Sequence, residues 1–92
     1  MTTTITKLHD HPYAQASILT YDDGSIALQS YNTIVVDIDP EGWLQVNGLY
    51  SMTTIKHIGW FMRTLGTSYQ TAKHLYNTNM KMNIYTGETK AV

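Results

Sequence analysis

Apolar and polar residues alternate through the first half of the chain, and the period then changes once. The stretches AQASILT, SIALQSYNTIVVDI and GWLQVNG switch character at nearly every second position, which is the pattern of strands with one covered face. The stretch SMTTIKHIGWFMRTLG follows directly and has a different spacing. Ile55, Ile58, Met62 and Leu65 fall on one helical face, and Phe61 widens it. Ser51 or Thr53 suits the N-cap of this helix, and Gly66 stands where a glycine ends one. A second, shorter helix begins at Thr67 or Ser68, with Tyr69, Ala72, Leu75 and Tyr76 as its inner face and Asn77 and Asn79 at its end.

Turn chemistry divides the strands. Tyr21-Asp22-Asp23-Gly24 reads as a tight hairpin turn, because glycine takes positive φ at little cost. Asp39-Pro40-Glu41-Gly42 reads as a second turn, with proline preset at its first corner and glycine at the left-handed position. Strands are therefore expected over 14–21, 25–30, 33–39, 43–48 and 80–85. Residues 2–8 alternate weakly, so 1–13 reads as a first strand or an arm, broken at HDHPY where Pro12 disfavours helix at His11. Residues 86–92 read as a flexible polar tail. The expected fold is a single α+β domain over 1–92. It has an antiparallel meander of four to five strands, with two helices from the C-terminal half packed on one face.

Composition narrows the chemistry. The 92 residues are 42% hydrophobic and only 14% charged, and they include no cysteine. Disulfides, thiolate nucleophiles and zinc–thiolate sites are thereby excluded. No run is long enough for a membrane span, and the N-terminus lacks the regions of a signal peptide, so a cytoplasmic protein without membrane association is expected. Charge is uneven. Residues 1–50 hold one lysine against six acids, whereas residues 51–92 hold five basic residues against one glutamate. Such asymmetry hints at a charged partner surface, nucleic acid included, although bases spread over two helices and a tail are often just a solvated face.

The stretch from Ser30 to Leu65 resembles a small uncharacterised family carried by phages and other mobile elements of Gram-positive bacteria. The resemblance lies in an aromatic-polar-Thr strand (Tyr31 to Thr33), a short hairpin, a Tyr-Ser-Thr-Thr helix entry (Tyr50 to Thr54) and the helix residues His57-Ile58 with Phe61. Small phage proteins of this style include anti-CRISPR inhibitors. The resemblance thus implies a partner in the host, most concretely a CRISPR effector nuclease blocked by steric occlusion.

Several groups of residues carry candidate chemistry. Lys56, Trp60 and Arg63 fall at i, i+4 and i+7, and a tryptophan between two cations suits a protein hot spot or a base-stacking site. The alternative is a Trp60 folded over the edge of the core with the cationic stems beside it. His9 and His11 flank Asp10 in an order that can direct two imidazoles to one side of an extended segment, so zinc or another transition metal is a candidate cofactor, with further ligands to come from elsewhere. The alternative is two loop histidines at the surface. His57 is expected to hydrogen-bond the sheet or a threonine at the helix entry. Asp37, Asp39 and Glu41 alternate at a strand end, where they either imitate phosphate spacing or keep an edge soluble. Phosphate loops, Ser-His-Asp order and HExxH are absent, so a non-enzymatic inhibitor is expected, with a small nucleic-acid-binding module as the alternative. Few charges, many tyrosines and a strand-rich half also favour a homodimer.

Overall fold

Every strand pairs with its neighbour in sequence. The computed structural model describes residues 3–8, 11, 13–49 and 51–92. It shows a seven-stranded antiparallel sheet in the order β1-β2-β3-β4-β5-β6-β7. The strands are β1 (Thr3–Lys7), β2 (Ala16–Tyr21), β3 (Ile26–Ser30), β4 (Thr33–Ile38), β5 (Trp43–Val46), β6 (Met80–Asn83) and β7 (Thr89–Ala91). Helices α1 (Met52–Thr64) and α2 (Tyr69–Thr78) interrupt the meander between β5 and β6. The class is the expected α+β, but the sheet exceeds four to five strands. β1 forms where a strand or an arm was expected, and β7 forms inside the expected tail. The three residues of β7 are all exposed, so they carry no alternation for a sequence reading to detect. Lys90 of β7 also lays its ammonium 4.0 Å over the Trp43 ring of β5, a cation–π contact across β6.

Register assigns the two faces. Ile18, Leu28, Val36 and Val46 stand in one row across β2 to β5, and Ile26, Ile38, Leu44 and Met82 stand in the next across β3 to β6. These rows meet Ile58, Phe61 and Met62 of α1 and Ala72 and Leu75 of α2 in one core. A bulge between Leu28 and Gln29 leaves Val35 without a partner on β3. Val35 is nonetheless fully buried. The helices lie over β3 to β6, so β1 and β2 extend beyond them. Tyr76, expected on the inner face of α2, is 44% exposed, because Ala72 and Leu75 fill the space above β5 and β6.

Helix ends follow the expected chemistry. Ser51 caps α1, accepting the Thr54 amide at 3.2 Å, and Gly66 follows α1 at φ +80°. The β4–β5 turn is fixed by the Asp39 carboxylate, which accepts the amides of Glu41 at 2.9 Å and Trp43 at 3.0 Å. Gly42 in this turn has φ +94°, and a Cβ there would lie 2.5 Å from the Tyr85 ring. Gly42→Ala is expected to cost about 1–2 kcal/mol, because a non-glycine residue is strained at that φ and Tyr85 must move as well. The urea midpoint reads this cost. No described helix is long and apolar enough to cross a membrane.

Candidate functional site

The two ends of the sheet carry different chemistry. Antiparallel order places the β2–β3, β4–β5 and β6–β7 turns at one end. They hold Asp22, Asp23, Asp39, Glu41 and Glu88, with no lysine or arginine among them. Ser25 donates its amide and hydroxyl to Asp23, at 2.9 and 2.6 Å, and these bonds hold that carboxyl below the usual aspartate range. Asp37 stands on the face away from the helices, where it accepts from the Asn47 amide. That face carries a groove of about 240 Å³ lined by Tyr21, Asp37, Asp39, Trp43, Gln45 and Lys81 among others. A space this small suits a side chain better than a cofactor, since small-molecule sites run from about 300 Å³ upward.

The opposite end is aromatic. Three pieces of chain meet there: the β1–β2 connection, the β3–β4 turn and the first turns of α1. Leu8 is buried, and its carbonyl accepts the His11 amide at 3.1 Å. The His11 ring lies on Trp60, with centroids 3.6 Å apart and planes 12° from parallel. Trp60 lies one helical turn from His57, at 5.8 Å between rings, and His57 lies 5.8 Å from Tyr31. The four rings form a continuous row, Tyr31–His57–Trp60–His11. Tyr31 is its exposed terminus, at 52%. It occupies the two-residue turn between Ser30 and Thr33 with φ +55°, a left-handed conformation that costs an aromatic residue energy. Its amide donates to the Gln15 carbonyl at 2.8 Å, which fastens the turn to the β1–β2 connection. Tyr13 and Met52, both strongly exposed, lie at the same end.

A hydrogen-bonded chain supports the row from below. Ser30 Oγ is 2.8 Å from His57 Nδ1 and 3.1 Å from Thr54 Oγ1. This is the anchoring expected for His57, to the sheet and to a helix-entry threonine. A serine beside an imidazole is also the pairing of an activated nucleophile. Here, however, both residues are 2% exposed, and the remaining partner is a hydroxyl, not a carboxylate. No buried polar side-chain atom among the described residues lacks a hydrogen-bond partner. Burial, and then the positive charge of Lys7, push the His57 pKa below its ordinary value.

The neutral His57 ring has a thermodynamic consequence. Below about pH 6.5, where an unfolded imidazole takes up a proton, the unfolded chain binds that proton more readily than the folded chain does. Stability is therefore expected to be flat above that pH and to fall as pH drops through it. Thermal melts across this window should show the slope in wild type and lose it in His57→Gln.

The sequence candidates are distributed as follows. Trp60 is half-buried and packs on the core, while Lys56 and Arg63 are exposed. The tryptophan thus has one ring face covered by His11. His9 lies outside the described residues. His11 is engaged with Trp60, and among the described residues no three His, Asp or Glu side chains gather as a metal site would. Tyr31 escaped the sequence reading as a site residue. Its one signal was its place in the aromatic-polar-Thr motif.

Residues 2–86 match the model of a family of unknown function, DUF8033. No curated protein and no solved structure matches the chain.

Proposed function

We propose that this chain, which belongs to that family of unknown function, is a non-enzymatic protein that works by binding another protein through its aromatic end. The observation that carries this reading is Tyr31, exposed and held in a strained conformation at the end of a supported ring row. Backbone strain persists where the surroundings over-determine it, and it gathers at binding and switch sites. Tyrosine, tryptophan and arginine are also the residues that dominate protein hot spots. The hydroxyls, imidazoles and carboxylates with the best geometry are engaged in internal hydrogen bonds or ring contacts, and this supports a role without chemistry.

The concrete form of the proposal is a small inhibitor from a mobile element that occludes a host defence protein, a CRISPR effector nuclease in particular. That step rests on the family resemblance of Ser30–Leu65. The test is a guide-directed cleavage assay with purified components. Inhibition that saturates near one chain per nuclease supports the proposal, and undiminished cleavage at large excess of the chain overturns it.

One observation favours a second reading. Residues 51–87 contain no acid, and Lys56, Arg63 and Lys73 are exposed on the helices. A nucleic-acid-binding face is expected to lose affinity steeply and log-linearly with salt, whatever the sequence of the DNA. A protein interface is expected to show a mild salt effect, mostly in the on-rate. Titrating Lys56→Ala/Arg63→Ala and wild type against plain DNA at two salt concentrations separates the two.

A further inference from the structure

We infer that β1 is a self-pairing edge, and that two copies of this chain join there, antiparallel, about a twofold axis at Ile5. All five residues of β1 are exposed, and among the described residues its hydrogen-bonded neighbour is β2 alone. The helices stop short of it. Natural sheets protect such an edge with proline, charged side chains and lysine above all, a bulge or a very short strand, and of these β1 has one, Lys7 at its end. Residues Thr3–Lys7 include no proline and no acid, and β1 pairs with β2 in unbroken register. The opposite edge is shorter: β7 is three residues long.

The occupant follows from the register. One antiparallel arrangement pairs all five residues of β1 with a second β1. It sets Ile5 against Ile5, Thr4 against Thr6 and Thr3 against Lys7. No like charges then face each other, whereas a parallel arrangement brings the two Lys7 side chains together, which is unfavourable. Ile5 is 67% exposed. It stands in a row with Leu19 and Ala27 on the face away from the helices. The twofold axis joins two such rows, so each Ile5 covers the other. An isologous contact of this kind closes on itself and leaves no free copy of the same edge.

The absence of cysteine makes the test clean. Sedimentation equilibrium is expected to give twice the 10.4 kDa chain mass for wild type. Ile5→Lys, which sets two lysines against each other, is expected to be monomeric with an unchanged circular dichroism spectrum and a melt that, unlike that of wild type, does not depend on protein concentration. Under mild oxidation, Ile5→Cys should cross-link to itself, because Cα atoms directly opposite in an antiparallel pair lie within disulfide range. Thr3→Cys and Lys7→Cys should each fail alone and cross-link when mixed. A wild-type monomer at every concentration, an Ile5→Lys that remains dimeric, or self-linking of Thr3→Cys would overturn the proposal. Pairing of this edge with a foreign strand would appear as a wild-type monomer and so counts against it.

Discussion

Trp60→Ala is expected to cost about 3 kcal/mol of stability, within the range for large aromatic truncations but toward its lower end. The reason is the position of the ring. Trp60 packs against the buried core cluster, and His11 covers it in a stack at 3.6 Å. Truncation opens a space at the core edge and releases the β1–β2 connection, which His11 pins. Solvent reaches part of that space, which is why the full core cost is not expected. Urea unfolding should show a lower midpoint with little change in slope. Lys56→Ala and Arg63→Ala, at exposed positions on the same helix, should stay within about 0.5 kcal/mol of wild type. A Trp60→Ala protein as stable as wild type would mean that the ring is a free surface blade.

His57→Ala is expected to cost a similar amount, about 3 kcal/mol, by a different route. The imidazole is buried, and its Nδ1 partners Ser30 Oγ at 2.8 Å. Removing it leaves a buried hydroxyl with reduced hydrogen bonding, at about 1–3 kcal/mol, and adds a cavity between Tyr31 and Trp60. The double variant His57→Ala/Ser30→Ala should recover part of the loss, because it removes the stranded partner. If the two single losses simply add, the side chains are not coupled. His57→Gln keeps a polar group in the site and should fall between His57→Ala and wild type.

Much of the fold was legible because local signals agreed. β2 to β5 alternate, their turns carry Asp-Gly and Pro-x-Gly, and α1 has a serine cap and a terminal glycine. The edges were not legible. β1 alternates only weakly with threonines on an uncovered strand, and β7 is held by backbone pairing and one cation–π contact, neither of which leaves a hydrophobic period. The candidate site was legible in pieces. Trp60, His11 and His57 were each singled out, but for separate chemistries. Their assembly with Tyr31 depends on the register of β3 against β4 and on the packing of α1 over that hairpin. Those are long-range facts that no short motif encodes. The exposed Tyr76 shows the same limit at smaller scale: helical spacing marks a stripe, and the sheet beneath decides how much of it is covered.

In the proposed account, the two ends of the sheet orient the chain on its partner. Acidic turns at one end and cationic helices over one face give the molecule a charge asymmetry, which acts on encounter rates and approach more than on final affinity. In the proposed account, the close contact is left to the aromatic end.

The most direct test of that account uses Tyr31→Gly. Glycine accepts φ +55° without strain, so the variant should be at least about as stable as wild type while lacking the exposed ring. Titrated by calorimetry against a CRISPR effector nuclease, the partner proposed above, Tyr31→Gly is expected to bind more weakly than wild type by about 2 kcal/mol or more, roughly thirtyfold. A Tyr31→Gly protein that is folded and binds as tightly as wild type would contradict the claim that the aromatic end is the working surface.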